Sequence, residues 1–215
     1  MEPTPRRRLG AARRREQLLD AAVELAAGRD LTLLSVQDIA AHAGVSEGLL
    51  YHYFPTKDAL LVAAVQRAAD ALTAALDAAA QGPPMTALLG GLAAYLDHVQ
   101  ADPTGWHAVL QARTGPLGEI GTAVEEHARG LLLAALGVSD ASPLLQAGLD
   151  GWAALEREAC LTWLRHPQME RAALEDLLVS SFLATLESVA RHDEQARRIV
   201  ERLQQLQADD GDAPG

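Results

Sequence analysis

The 215-residue sequence predicts an all-α fold: a three-helix head containing a helix-turn-helix unit, joined by a long helix to a larger helical domain. Three observations carry this expectation. Apolar residues recur at three- and four-residue spacing almost throughout, no stretch alternates as a half-buried strand would, and Gly, Pro, Ser and Thr punctuate the chain where helices stop and start. With 49% hydrophobic residues the chain can bury a sizeable core. Its apolar runs, such as Gly130–Leu136, are far shorter than the roughly 18 residues of a membrane span, and no apolar signal region follows the Arg-rich start, so a cytoplasmic location is expected.

Residues 1–12 read as a basic flexible arm, within a segment where six arginines (Arg6, Arg7, Arg8, Arg13, Arg14, Arg15) face a single acid, Glu2. Residues 1–58 carry eight basic and eight acidic side chains, so the 21 acidic and 10 basic residues that follow hold all of the net charge of −11. Because salt screens charge beyond roughly 10 Å, the arm can attract phosphates despite the distant excess of acid.

From Arg13 to Ala27, Leu18, Ala22, Leu25 and Ala26 form one face and Glu16, Asp20 and Glu24 the other, with Gly28 placed to end a first helix. Ser35, with Asp38 three residues on, opens a second helix whose Val36, Ile39, Ala40 and Ala43 point inward, and Gly44 closes it. Ser46 caps a third, which Pro55 stops. Thr56 caps a fourth that runs unbroken from Lys57 to about Ala80, with Asp58 at its positive end. In the third helix, Leu50 and Tyr53 or Phe54 pack inward against Ile39 and Leu18. Glu47, Gly48, Tyr51 and His52 lie on the other face. The head thus spans residues 13–58.

Residues 59–208 read as further helices: about 86–100, 104–113, 119–136, 143–165, 169–190 and 194–207, before an acidic, disordered tail at 209–215. Enzyme chemistry finds little support in this sequence. The seven histidines show no pair at metal-ligand spacing, the single Cys160 reads as a buried inert thiol, and no glycine loop suits a phosphate, so neither metal nor cofactor is expected. Glu125 and Glu126 beside His127 read as a solvated helix surface.

The stretch Thr32–Leu60, with the helix before it, resembles the DNA-binding domain of the TetR family of transcriptional repressors. The likeness runs without a gap over about residues 10–62: Gly44, the aromatic cluster Tyr51–Phe54, Pro55 and the Lys57–Asp58 pair fall in the family's places. Residue chemistry and resemblance together put Ser35, Gln37, Ser46, Glu47, Gly48, Leu49, Tyr51, His52, Tyr53 and Lys57 at a double-stranded DNA operator. Gln37 departs from the common residue there but can read adenine, and Leu49 can at most touch a thymine methyl.

For residues 59–208 the resemblance implies an effector-binding and dimerisation domain. His98, Trp106, His107, Arg113 and Trp152 are the candidate effector pocket. Two apolar stripes, which include Leu149, Trp152 and Leu155 on one helix and Leu174, Leu178 and Ser181 on the next, are the candidate homodimer interface. The expected function is a regulator, a repressor released from a palindromic operator by a largely apolar small molecule. The alternative is the same fold serving as a protein-interaction or small-molecule-binding module with weak or no DNA binding.

Overall fold

A computed structural model describes the backbone of residues 5–26 and 35–211, and side chains within 10–25 and 35–206. The described residues form ten helices and no strand: α1 Pro5–Ala26, α2 Val36–His42, α3 Glu47–Tyr53, α4 Lys57–Ala79, α5 Pro84–Ala101, α6 Pro103–Gln111, α7 Gly115–Ala135, α8 Pro143–Arg165, α9 Arg171–Ala190 and α10 Glu194–Gly211. Gly28 and the link after it lie outside the described residues, as do the side chains of Arg6, Arg7 and Arg8.

Several boundaries move outward from the sequence expectation. The arm expected to be flexible over residues 1–12 is helical from Pro5. Arginine is a good helix former, and proline at a first helical position loses no hydrogen bond. At the other end α10 continues through Asp209 and Asp210, residues expected in the disordered tail, because nothing in the run from Glu201 interrupts a helix before Gly211. α7 starts at Gly115, not near Glu119, since Pro116 fits a first turn as readily as it ends a preceding one.

The chain divides into two compact units, Met1–Asp70 with Ala101–Gly121, and Ala71–Gln100 with Thr122–Gly215. The division therefore falls inside α4, not at residue 58 as the sequence suggests. The first turns of α4 belong to the head, whose core comprises Leu18, Leu19 and Ala22 of α1, Ile39 and Ala40 of α2, Leu50, Phe54, and Leu60 and Ala64 of α4. α4 is also the described helix long and apolar enough to cross a membrane by length and composition. Arg67 near its middle instead forms ion pairs with Asp20 (2.5 Å) and Glu16 (3.6 Å) of α1. In the same unit Asp102 caps α6 through Gly105 N (2.9 Å), and Trp106, Val109 and Leu110 are buried.

The second unit is centred on α9, which packs against both α8 and α10. Its core joins Leu145 and Leu149 of α8 to Phe182, Leu186 and Val189 of α9 and to Ala196, Ile199 and Leu203 of α10. A Cβ added at Gly148 would lie 2.8 Å from Val189 Cγ2, so this glycine sets the close approach of α8 to α9. Ser142, the N-cap of α8, accepts from Leu145 N (3.2 Å) and donates to Asp193 Oδ2 (2.5 Å), while its own N–H donates to Gln195 Oε1 (2.8 Å). These bonds tie the start of α8 to the start of α10. Arg171 similarly ties the start of α9 to α5, through Asp97 and the Ala93 carbonyl (3.2 Å).

Candidate nucleic-acid interface

The head places its outward residues by local rules. Ser35 and Asp38 form a reciprocal capping box: Asp38 N donates to Ser35 Oγ (3.0 Å) and Ser35 N to Asp38 Oδ2 (3.2 Å). At the other end of α2, Gly44 takes φ 66°, Val45 N donates to Ala40 O (2.9 Å) and Gly44 N to Ala41 O (3.1 Å). This pairing turns the chain sharply with only glycine free of strain, and Val45 packs back on the core. Ser46 then caps α3 through Leu49 N (3.3 Å), and Thr56 caps α4 through Ala59 N (3.0 Å). The hydroxyls of Ser35 and Ser46 thus accept helix N–H groups, which leaves them the outer lone pair for any further contact.

The third helix is divided cleanly. Leu50 and, just past its end, Phe54 are buried, and Tyr53 packs half-buried against them. The Arg15 guanidinium lies over the Phe54 ring, 4.9 Å from its centroid, and covers it from outside. Glu47, Gly48, Tyr51 and His52 are exposed, Leu49 is half-buried, and the His52 and Tyr53 rings meet edge to face at 5.2 Å. Exposed Gln37 lies in the first turn of α2, and half-buried Lys57 in the first turn of α4, where the helix dipole adds to its charge. The aromatic cluster therefore serves two ends at once, a core ring at 54 and an exposed ring at 51.

The residues expected to bind an effector do not fall in one unit. Trp106, His107 and Arg113 belong to the first, His98 and Trp152 to the second. Trp106 is a core side chain, and His107 shares a 3.3 Å hydrogen bond with Gln111. The His98 ring meets the Ala94 carbonyl at 2.8 Å. Trp152 donates to the Leu178 carbonyl (3.0 Å) and meets the Phe182 ring edge-on.

Three of the residues expected at a dimer contact also change standing. Leu149, Leu174 and Leu178 are buried by the chain's own α8, α9 and their neighbours, because leucines lie on both sides of these helices and these three turn inward. Of the other three, Trp152 and Ser181 are half-buried and Leu155 is exposed. Large apolar side chains do remain uncovered on this pair: Leu144 and Leu155 on α8 and Leu177 on α9.

A feature the sequence reading missed lies inside the second unit. Tyr95 of α5 hydrogen-bonds Cys160 of α8, and Glu156 stands one turn before Cys160. Burial, then the neighbouring Glu125, pushes the Glu156 carboxyl up to about 7. Burial likewise pushes the Cys160 thiol up to about 12, which leaves it un-ionised and unreactive. The sequence signal was there: in the inward run Leu145, Leu149, Trp152, Glu156, Cys160, Trp163, one position of an apolar stripe is a carboxylate.

A helical protein whose capped, glycine-turned pair of helices presents a polar and aromatic face is a helix-turn-helix DNA-binding protein. Residues 18–64 match the family described as bacterial regulatory proteins, tetR family, and residues 84–185 match the tetracyclin repressor-like C-terminal domain. A tetR-family transcriptional regulator from Streptomyces coelicolor superposes with a TM-score of 0.79 at 33% identity, covering 87% of this chain and 89% of that one. The HTH-type transcriptional repressor KstR2 of Rhodococcus jostii is 44% identical over 52 residues, a match that spans only 24% of this chain and 26% of that repressor. The fold is shared as well by a transcriptional regulator FadR from Bacillus subtilis in complex with stearoyl-CoA (TM-score 0.57, 18% identity, covering 79% of this chain and 96% of that one). The chain belongs to the TetR family of transcriptional regulators.

Proposed function

We propose that this regulator is a cytoplasmic repressor that binds a palindromic operator as a homodimer and is released by a small, largely apolar effector. The observation that carries the DNA-binding face is the division of α3. Its core contribution is complete with Leu50 and Phe54, so exposed Tyr51 and His52 have no packing task. A rigid aromatic pair beside an exposed Gly48, with Gln37 and Lys57 on the flanking helices, suits a phosphate-lined groove. In this reading Tyr51, His52, Tyr53 and Lys57 meet phosphates, Gln37, Glu47 and Leu49 face base edges, and Ser35 and Ser46 hold the two helix starts against the backbone.

The homodimer reading keeps α8 and α9 but moves the contact to their uncovered faces. Leu144, Gly151 and Leu155 on α8, with Leu177, Ala184 and Ser188 on α9, form surfaces of small residues and isolated leucines. Such surfaces let helices approach closely. The effector reading is supported by the fold's likeness to the regulator solved in complex with stearoyl-CoA, a ligand with a long apolar chain.

Titration of an operator-length duplex at several salt concentrations tests the DNA reading. Lys57→Ala should weaken binding to all sequences alike and lower the salt slope by roughly one. A protein that bound specific and random duplexes equally weakly at every salt concentration would be an interaction module, and the repressor reading would fail.

A further inference from the structure

We infer that the N-terminal half of α1 is a second DNA contact: an arginine-bearing helix that clamps duplex phosphates next to those met by α3 and the start of α4. The inference rests on the DNA-binding reading above and adds a surface to it, one whose ligand is phosphate and not base sequence.

α1 runs without a break from Pro5 to Ala26, yet among the described residues its first buried side chain is Leu18. Gly10 through Gln17 are all exposed, so about two turns of helix contribute nothing to the head's core. An unpacked helix of that length is marginal alone and persists by continuity with the packed part that follows. Packing gives no reason for these turns, but their composition does. Arg13, Arg14 and Arg15 share one turn, and Arg6, Arg7 and Arg8 stand about two turns earlier in the same helix. No two of the six are three or four positions apart, so the helix escapes the like-charge repulsion felt at those spacings. From Arg6 to Arg15 the helix spans about 14 Å, a length over which a duplex carries about eight phosphates. Six guanidinium groups are close to that charge density.

The acids of the head do not neutralise the arginines. Glu16 lies 3.9 Å from Arg15 and is also met by Arg67 of α4, at 3.6 Å. Among the described residues no acid pairs with Arg13 or Arg14. Arg15 fixes where this helix leaves the head. Its guanidinium lies over Phe54, the residue that closes α3, two positions after His52 and three before Lys57. The basic turns therefore begin at the corner where α3 ends and α4 starts, the corner that carries the residues read as phosphate contacts. A membrane-surface helix would need an apolar face opposite its charges, and Leu9 is the single large apolar side chain from Pro5 to Gln17.

The test compares two double variants of the intact protein with the same change in charge: Arg13→Gln/Arg14→Gln in α1, and Arg191→Gln/Arg197→Gln around the start of α10. Glutamine keeps the helix propensity of arginine, and all four positions are exposed, so circular dichroism and melting should match the parent. Each protein is titrated with a mixed-sequence duplex of about 40 base pairs from about 50 to about 200 mM salt, with Tyr51→Ala as the reference for the α3 face. The α1 variant should lower the slope of log affinity against log salt by about two for each arm and weaken binding about tenfold or more; the α10 variant should change neither. Preference for genomic fragments selected by the parent should stay within about twofold, since phosphate contacts carry no sequence information. An unchanged slope in the α1 variant, with Tyr51→Ala still weakening binding, would overturn the clamp and leave the α3 reading standing. Equal losses from both double variants would mean an effect of net charge alone and would overturn it as well. So would a loss that vanished on deleting residues 209–215, which would assign the arginines to the chain's own acidic tail. A parent protein that bound no duplex at any salt concentration would remove the DNA reading and this surface with it.

Discussion

α3 and α9 face solvent in opposite ways. Of the seven residues of α3 only Leu50 is buried, and the rest of the helix shows polar and aromatic groups: Glu47, Tyr51 and His52. The twenty residues of α9 bury Leu174, Leu178, Phe182, Leu186 and Val189, and among its uncovered residues Ala173, Leu177, Ser180, Ala184 and Ser188 share one face, flanked by the exposed acids Asp176 and Glu187. A face of hydrogen-bonding groups and a ring suits a hydrated, charged polymer, whereas a face of small residues and one leucine suits another helix. Exposure alone would class both as surface; their chemistry assigns them different partners.

The sharpest way to break this comparison is to set neighbours on α9 against each other. Leu178 is fully buried and Leu177 is 51% exposed. Leu178→Arg forces an unpaired charge into the core of the second unit and should unfold it, a loss well beyond about 4 kcal/mol. Leu177→Arg should leave circular dichroism and melting nearly unchanged while sedimentation shifts from dimer to monomer. A folded, dimeric Leu177→Arg variant would remove α9 from the interface.

The same pair shows what could be read in the sequence and what could not. The boundaries of α2 and α3 were legible because short helices declare themselves by their ends: Ser35 with Asp38, Gly44, Ser46 and Pro55 leave little choice. α8 and α9 were legible as helices but not by face, since leucines occur on both sides and which of them turn inward depends on the packing of α10 and α5. Burial of Leu149, Leu174 and Leu178 was hidden for that reason. The start of α1 failed differently, because an arginine run supports a helix and a charged arm equally well. The Tyr95–Cys160–Glu156 group joins helices some sixty residues apart in sequence, and only Glu156 within an apolar stripe hinted at it.

In the head the corresponding contrast is between two rings three residues apart. Phe54 is 2% exposed and Tyr51 45%. Phe54→Ala should cost about 3 to 5 kcal/mol as a cavity in a small core, with DNA binding by the folded fraction preserved. Tyr51→Ala should melt with the parent protein and lose duplex affinity. Thermal melting beside duplex titration separates the two, and early melting of Tyr51→Ala with normal binding would reverse the assignment of the two faces.

Within the second unit, Glu156 distinguishes a residue kept for packing from one kept at a cost to stability. Its folded-state pKa, about 7, lies above the ordinary 4.5. Between those values the folded protein holds a proton that the unfolded chain releases, so stability falls as pH rises through this window and stays low above 7. Glu156→Gln should flatten that fall and be more stable than the parent above pH 7 by on the order of 1 to 3 kcal/mol, with little difference near pH 4. Denaturant titrations across the window check it, and parallel profiles for the two proteins would mean that Glu156 is solvated and not held in the interior.

The smallest effect tests whether α3 has been shaped for its partner at its own expense. Gly48 is in the first turn of α3, its φ is in the ordinary helical range, and a Cβ built there meets nothing within 4 Å. No feature of the chain itself therefore requires glycine. Alanine should fit without strain and stabilise the head by up to about 1 kcal/mol, since glycine costs about that much in a helix. If the backbone at 48 approaches a phosphate or a base edge, the same methyl group should hold α3 away from the duplex and weaken binding about tenfold, on specific and random sequences alike. The two readings move in opposite directions in one variant: melting temperature up, DNA affinity down. A Gly48→Ala protein that is more stable and binds its operator unchanged would show that α3 meets DNA by side chains only, with Tyr51 and His52 the first to arrive.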